Sequence, residues 1–506
     1  MIQSIFLSVV LFGAACTSSA RAADLKLADP FGDEMVLQQG MQVPVWGTAD
    51  AGANVTVTFA GQTKAVAANA GGYWKVELAP LVASFENRTL SVTDGKTRLE
   101  VKDVVVGEVW MCSGQSNMEM TVSMAADAKK EIAAANFPAI RLRVTTHKVA
   151  EQPTEMIDAG PWRVCTPANI VQDGTTWKGF SAAAYYFGRD IHREIKMPVG
   201  LIEASWGGTY IQPWTPQEGF RSQPKLAAES AALDKDYAAG KGALKLKPPV
   251  PGHSPTQPTT MYNAMIAPWT GFPVRGVIWY QGESSYYNHD GPLYADRMAA
   301  LVSGWRHAWG RSDADFPFYF VQIASYSYAK TPPTPPRPEE IGPFWEAQQR
   351  AARDIPNTGM VHTQDVGEVG NIHPHRKQEV GSRLARLALA RTYRAKSQAG
   401  KAITDDTGPE FKALEAKGNT LIVTFAYAKS GLASRDGKPL SHFEIAGDDH
   451  VFAPAEAQIA GSTVILKSAT VPMPVEMRFG WSDSAMPNLM NGDKLPAATF
   501  HATTKP

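Results

Sequence analysis

The segment Gly107-Glu-Val-Trp-Met-Cys-Ser-Gly-Gln-Ser116-Asn-Met-Glu-Met120 joins an apolar run to a serine at a sharp turn. The apolar residues predict a buried strand, Ser113 to Ser116 predicts a tight turn, and the residues from Asn117 to Lys130 begin to repeat at helical spacing. A serine between a strand and a helix is raised clear of the sheet, and N–H groups of the helix start face the same point. This arrangement suits a nucleophilic hydroxyl. The alternative is that Ser116 only caps the helix, because serine is a favoured N-cap residue.

Two further polar clusters follow predicted strands, where open α/β sheets bind their ligands. In Glu203-Ala-Ser-Trp-Gly-Gly208, paired glycines allow a close backbone approach, so the N–H of Gly207 or Gly208 could point at an oxyanion. A simple turn is the alternative there. Just past another apolar run, Gln281 offers an amide donor and Glu283 a carboxylate. Polar groups at such a place are costly unless exposed or hydrogen-bonded, which favours a functional interpretation.

A third cluster contains four potential metal ligands. Since imidazole and carboxylate groups bind zinc, a metal could be held by His362, Asp365, His373 and His375. However, no pair of histidines has the helical His-x3-His spacing, and no thiolate joins the cluster. We therefore expect no metal.

Strands alternate with helices from residue 104 to about 395, which is typical of a mostly parallel α/β sheet. The predicted strands are Val104–Met111, Val199–Ser205, Gly276–Tyr280, Phe318–Ile323 and Gly359–Thr363. The predicted helices are Ser181–Ile195, Tyr294–Trp309, Phe344–Asp354 and His375–Thr392. These strands are enough for a doubly wound layer with helices on both faces.

Short alternating runs flank this region and predict β modules. From Leu25 to about Lys102 they favour a small antiparallel sandwich. From about Asp405 the β signals return, either as a separate sandwich or as completion of the first one. We expect a β module at 23–103, a catalytic α/β domain at 104–400 and a second β module at 401–506. Surface insertions are expected near 217–258, which is rich in alanine and charge, and near 330–342, which is rich in proline.

Composition and the N-terminus restrict the compartment and the partners. The chain has 49 Lys+Arg and 49 Asp+Glu, so no charge excess predicts binding to nucleic acid or an anionic membrane. A short apolar run at Ile5–Ala15 and small residues up to Ala22 predict a signal peptide at 1–22 and a secreted or periplasmic protein. After cleavage we expect no membrane contact. Cys112 is interpreted as a small buried apolar residue, although the compartment permits a disulfide with Cys165.

Four motifs occur in order: Gly114-Gln-Ser-Asn-Met118, Ser205-Trp-Gly-Gly-Thr209, Trp279-Tyr-Gln-Gly-Glu-Ser284 and Ile372-His-Pro374. This ordered set closely resembles the sialate O-acetylesterase-like family of SGNH hydrolases. The resemblance implies a flavodoxin-like three-layer α/β/α domain with N- and C-terminal β-sandwich-like modules, and hydrolysis of O-acetyl esters on sugars. It also implies that Ser116 is the nucleophile, His373 the general base, and Gly208 and Gln281 part of the oxyanion hole, with no cofactor.

The sequence departs from that family pattern beside the histidine. Many SGNH hydrolases carry an aspartate three residues before it, and here Gly370 stands at that position. Asp365 or Glu283 is our preferred acid, Glu368 is a further candidate, and a Ser–His dyad is the alternative. Six aromatic residues could stack on a sugar ring, although most tryptophans of an α/β domain belong to its core: Trp206, Trp214, Tyr262, Trp269, Tyr286 and Tyr287. Of these, Trp214, Tyr286 and Tyr287 are our substrate-binding candidates.

Three functions remain open at this point. The first is a secreted carbohydrate O-acetylesterase acting on O-acetyl sialic acid or on plant polysaccharide such as xylan or xyloglucan. The second is a carbohydrate-binding protein that has lost activity, which the surroundings of His373 would allow. The third is a lipid esterase on the same scaffold, which the polar residues near the motifs disfavour. The oligomeric state is not predicted.

Overall fold

The computed structural model describes residues 24–239, 255–330, 336–394 and 403–504. The predicted signal peptide and parts of both predicted insertions lie outside these residues. The N-terminal strands β1 to β7 are Lys26–Leu27, Val36–Gln38, Val43–Thr48, Asn54–Phe59, Gln62–Ala67, Tyr73–Leu78 and Ser84–Thr93. The central strands β8 to β14 are Arg98–Gly114, Phe137–Val144, Arg163–Cys165, Val199–Ser205, Gly276–Tyr280, Phe318–Val321 and Thr358–Val361.

The helices α1 to α9 are Ser116–Glu119, Ala128–Ala134, Ala182–Ile195, Gln217–Arg221, Ala227–Ala239, Glu283–Tyr287, Tyr294–Ala308, Ile341–Asp354 and Lys377–Arg391. The C-terminal strands β15 to β24 are Glu410–Lys417, Thr420–Ala426, Leu432–Ser434, Phe443–Ala446, Ala453–Pro454, Glu456–Ala460, Thr463–Lys467, Glu476–Phe479, Leu489–Asn491 and Phe500–Thr503.

The central strands lie in the order β10-β9-β11-β8-β12-β13-β14, and all neighbours are parallel except the edge strand β10. Side chains of β8 alternate between two apolar cores: Val109 and Met111 pack with α7 and α8, whereas Trp110 and Cys112 pack with α3 and α9. The sheet is therefore covered by helices on both faces. This confirms the predicted three-layer α/β/α arrangement.

Strand β8 continues from the N-terminal β module into the central sheet. Its first half pairs with β7 and β2, and its second half with β11 and β12. The boundary expected between residues 103 and 104 therefore falls inside one continuous strand. The N-terminal module also shares an apolar core with one face of the central sheet, as the edge-on contact of Phe31 with Phe272 illustrates (5.6 Å between ring centroids).

The C-terminal β module has sheets of its own. Its two larger sheets have the orders β15-β16-β21-β20 and β19-β18-β22-β24, and they enclose a separate apolar core. No C-terminal strand pairs with an N-terminal strand in the described part of the chain. Of the two arrangements expected from the sequence, the structure has the separate module.

The segment after the Ser113–Ser116 turn is only partly helical. The helical spacing from Asn117 to Lys130 corresponds to α1, a short 3₁₀ turn at Val122–Met124 and then α2, and not to one helix. Between them Thr121 forms a β-bridge with Ser181, and the Val122 N–H donates to Phe180 O (3.0 Å). Tertiary hydrogen bonds therefore replace helical ones here.

Cys112 and Cys165 are both buried and free, and burial raises the pKa of the Cys165 thiol to about 12. Within the described ranges, no helix is both long and apolar enough to cross a bilayer.

A glycine-specific turn at Gly114 gives a stability prediction. Gly114 has φ of +143°, and a Cβ atom there would lie 2.1 Å from Tyr280 O. We expect Gly114→Ala to cost more than about 3 kcal/mol, because backbone strain adds to a steric clash. Gly52→Ala is the matched control, since Gly52 has φ of +77° with nothing within 4 Å of the added atom, and should cost only about 1–2 kcal/mol. Urea unfolding measures both, and equal losses would contradict the prediction.

Candidate active site

Three strands end side by side below the turn that carries Ser116. Gly114 at the end of β8 pairs with Ser205 of β11 and with Tyr280 of β12, so the loops that follow emerge next to one another. Gln115 joins two of these loops. Its N–H donates to Tyr280 O (2.9 Å), and its Oε1 accepts from the N–H groups of Gly282 and Ser284 (both 3.2 Å).

Ser116 is the first residue of α1 and is 8% exposed. At this position a helix leaves the backbone N–H without an intrahelical acceptor. Gly207 lies directly against it, since a Cβ atom on Gly207 would be 3.1 Å from Ser116 Cβ. The Gly207 N–H donates to Glu119 Oε2 (2.7 Å), whereas Gly208 follows with φ of +72°. Gly208 is therefore the better candidate of the two glycines for binding an oxyanion.

Gln281 is fully buried beside these loops. Its Oε1 accepts from the Tyr294 hydroxyl (2.9 Å), which fixes the orientation of the amide. Its Nε2 donates to Thr209 O (3.1 Å) and Ser285 Oγ (3.0 Å). Both amide hydrogens thus have acceptors within the protein in this structure.

His373 lies in the loop before α9 and is held through its backbone. The Asn371 side chain accepts from His373 N–H (3.0 Å) and donates to His373 O (2.9 Å). The half-buried imidazole meets the Trp177 ring edge-on, at 5.4 Å between centroids. Burial, together with the nearby Lys377, lowers the pKa of His373 to about 4. The imidazole is therefore neutral at neutral pH.

A buried polar network holds the carbonyls on both sides of this histidine. Asn117 Nδ2 donates to Ile372 O (2.9 Å) and to Glu283 Oε1 (2.6 Å). Lys377 Nζ donates to Pro374 O (2.6 Å) and to Asn117 Oδ1 (2.8 Å). Asn117, the residue after Ser116, thus fixes the loop that carries His373. We call these three side chains, Asn117, Glu283 and Lys377, the loop clamp.

The two ionisable members of the loop clamp are completely buried. Burial raises the pKa of Glu283 to about 7 and lowers the pKa of Lys377 to about 7. Glu283 Oε2 has no hydrogen-bond partner among the described residues. Glu283 therefore reaches His373 only through Asn117 and the loop backbone.

The other candidate acids have partners of their own. Both Asp365 oxygens accept from Arg383 (2.8 and 2.6 Å), and Glu368 accepts from the imidazole of His375 (2.9 Å). Over residues 24–239, 255–330, 336–394 and 403–504, no carboxylate forms a hydrogen bond with the His373 ring. The acid that orients His373 thus stays a sequence-based prediction.

Three of the four potential metal ligands, His362, Asp365 and His375, are each in contact with another polar side chain. His362 Nδ1 lies 3.2 Å from Gln322 Oε1, while Asp365 and His375 are engaged as described above. Among the residues that the structure describes, no group of three His, Cys, Asp or Glu side chains could hold a metal ion.

The three aromatic candidates for sugar stacking differ in accessibility. Trp214 is fully buried in the core and donates to Thr209 Oγ1 (3.0 Å). Tyr286 is 3% exposed and its hydroxyl donates to Arg337 O (3.2 Å). Tyr287 is half-buried, so it alone of these three has an accessible ring.

Sequence reasoning did not assign roles to Glu119, Asn117, Lys377 or Trp177. The sequence could have placed Glu119 near Ser116, because residues three apart share a helix face and Glu119 follows Ser116 at that spacing. It could not have placed Trp177 at the site, since the contact of Trp177 with His373 joins loops far apart in the sequence.

Comparison with known proteins identifies the family of this chain. The family model described as carbohydrate esterase, sialic acid-specific acetylesterase matches residues 106–390. The chain belongs to this family. It is similar to the sialate O-acetylesterase of Rattus norvegicus (32% identity, 76% of each chain) and that of Mus musculus (28% identity, 94% of this chain and 92% of that one). The resemblance inferred from the four motifs is thus confirmed.

A solved structure extends the likeness to the whole fold. The structure of a novel carbohydrate acetylesterase from Xanthomonas citri superposes with a TM-score of 0.80 at 31% identity, covering 95% of this chain and 99% of that one. The esterase thus shares its α/β layers and its additional β sheets with that protein.

The loop clamp predicts the effect of Lys377→Met. The variant leaves Pro374 O and Asn117 Oδ1 without their donor, so we expect a loss of about 1–3 kcal/mol in stability. Esterase kcat should also fall by ~10–100-fold because the His373 loop loses an anchor. Arg376→Met is the matched control: Arg376 is exposed and bonds only to Glu379 among the described residues, so little should change. Equal kcat values for both variants would contradict a role of the clamp.

Proposed function

We propose that this esterase removes acetyl groups from O-acetylated carbohydrates through an acetyl-enzyme on Ser116. The observation that carries the proposal is the common end of three strands, which brings Ser116, Gly208 and Gln281 to one place. The neutral imidazole of His373, on a loop tied to Asn117, supplies the base. Membership of the acetylesterase family supports the reaction type.

The proposed reaction has two halves. His373 takes the Ser116 hydroxyl proton while Oγ attacks the acetyl carbonyl, and the protonated imidazole then gives this proton to the departing sugar oxygen. His373 next deprotonates a water molecule that attacks the acetyl-serine; the imidazolium returns this proton to Ser116 Oγ as the ester bond breaks, and acetic acid leaves and ionises in solution. The N–H groups of Ser116 and Gly208 would stabilise both oxyanions. Gln281 would join them by exchanging one of its two present acceptors for the oxyanion.

We further propose that the carboxylates support His373 indirectly. Asp365 anchors α9 through Arg383, and Glu283 anchors the loop through Asn117. The imidazole itself would then work as the base of a Ser–His dyad. This proposal is supported by the lack, among the described residues, of any carboxylate hydrogen-bonded to the His373 ring.

The substrate is proposed at the level of an acetylated sugar. Sialic acid is favoured by the names of the mammalian relatives, and a wider range of carbohydrates by that of the Xanthomonas citri protein. Tyr287 is the candidate for stacking on a sugar ring. Residues 1–22 would direct export, so that the enzyme would meet its substrate outside the cytoplasm.

Acetate release tests the reaction and the nucleophile together. We expect the purified enzyme to release acetate from at least one of acetylated sialic acid, xylan and xyloglucan. Ser116→Ala should lose roughly 10⁴–10⁶-fold in rate, because no other hydroxyl replaces the nucleophile. Ser113→Ala is the matched control, since that buried hydroxyl donates to Ala204 O. Long-chain acyl esters cleaved as fast as acetyl esters would contradict the acetyl preference.

The pH profile tests the base. Activity requires neutral imidazole, so kcat/KM should hold above the pKa of His373 and fall as the pH drops through about 4. An ordinary histidine would give a midpoint at about 6.5. Glu283→Gln is the control, because the pKa of Glu283 is about 7 and its removal should leave the acid limb in place. A midpoint near 6.5 in both proteins would contradict the account.

A further inference from the structure

Glu119 connects the nucleophile helix to two loops from other parts of the chain. It is the last residue of α1, three residues after Ser116, and is 3% exposed. Its Oε1 accepts from Thr175 Oγ1 (2.5 Å) and Thr176 N–H (2.8 Å), and its Oε2 accepts from Gly207 N–H (2.7 Å). One buried carboxylate therefore holds three donors.

The first of these loops is the wall beside the reacting hydroxyl. Gly207 is so close to Ser116 that a Cβ atom would lie 3.1 Å from Ser116 Cβ and 3.2 Å from Glu119 Oε2. The hydrogen bond from Gly207 N–H to Glu119 fixes the Trp206–Gly207 peptide, which is one peptide before the one that carries the Gly208 N–H. It thereby anchors the start of the Gly207–Gly208 turn, from which the Gly208 N–H is directed relative to Ser116.

The second loop forms the surface against which the base rests. Thr175 and Thr176 directly precede Trp177, whose ring contacts the His373 imidazole edge-on. The carboxylate thus reaches both sides of the site, the proposed oxyanion wall on one side and the support of the imidazole on the other.

His147 completes the surroundings of this carboxylate. Its Nε2 donates to Ser205 O (2.9 Å) and lies 3.4 Å from Glu119 Oε1, while its ring stacks on Trp206 (4.1 Å between centroids). His147 therefore faces the carboxylate without replacing any of the three donors.

We propose that Glu119 is a positioning residue that holds the Gly207–Gly208 turn and the Thr175–Trp177 loop in catalytic register with Ser116. The inference rests on the roles proposed above for Ser116, Gly208 and His373. Glu119 acts through its reach and its two acceptor atoms, and it takes no part in proton transfer. We therefore expect that a shorter side chain with the same charge would not hold the two loops in place.

The test measures kcat, KM and thermal unfolding of the full chain with a small acetyl ester. Glu119→Gln replaces one acceptor by an amide that faces a donor, and Glu119→Asp keeps the charge but shortens the reach by one methylene. We expect kcat to fall about 100-fold in both variants, as for a misplaced oxyanion donor, with KM within about threefold. Thr175→Val is the matched control, because it leaves the Gly207 bond intact and should lose less than about tenfold.

Three outcomes separate the possibilities. A lower melting temperature with unchanged kcat in both Glu119 variants would overturn the inference in favour of a purely structural role. Wild-type kcat in Glu119→Asp alone would overturn it in favour of charge. Ser116→Ala, measured in the same series, isolates the underlying proposal: if that variant keeps its activity, the nucleophile assignment fails, whatever the Glu119 variants do.

Discussion

The pairing register of β8 with β11 and β12 is the constraint on which the site depends. Gly114, Ser205 and Tyr280 are paired, so the loops that carry Ser116, Gly208 and Gln281 begin at one level. This register is strongly specified, because side chains of β8 alternate between two different apolar cores. A slip of one residue in this pairing would turn each side chain of β8 towards the opposite core. The packing of both helical layers therefore also fixes the geometry of the loops.

The loop that carries His373 is held near these strands by hydrogen bonds and not by strand pairing. His373 lies in a loop beyond β14, and Asn117 reaches across 255 positions of sequence to the carbonyl before it. Burying the Glu283 and Lys377 groups of the loop clamp is costly, and the hydrogen bonds through Asn117 offset that cost. We infer that the clamp serves to place the imidazole loop, since apolar residues of similar volume would be at least as stable at these positions.

The sequence predicted best the strands that contain a short, mainly apolar run. β11 at Val199–Ser205, despite its buried Glu203, and β12 at Gly276–Tyr280 have the predicted bounds. β9 was not predicted. It carries Arg141 and Arg143, which are 3% and 6% exposed and bind Asp103 and Pro30 O, respectively. Only the tertiary structure supplies these partners, and so the local pattern did not indicate a central strand.

The same distinction applies to the site. Ser116, Gly208, Gln281 and His373 could be named as candidates from the sequence because they lie in short motifs that follow predicted strands or precede a predicted helix. The hydrogen-bond partners were not predictable. Which carboxylate accepts from which donor depends on loops that meet only in the folded chain: Asp365 pairs with Arg383, and Glu119 with Gly207.

The central claim is that acetyl transfer passes through Ser116, and trapping the intermediate tests it most directly. The enzyme would be mixed with an acetylated substrate, quenched in acid within the first turnover, digested and analysed by mass spectrometry. The account predicts an acetyl group on the Ser116 hydroxyl, formed no more slowly than acetate is released. Steady acetate release with Ser116 unmodified, or with the acetyl group on another side chain, would contradict it.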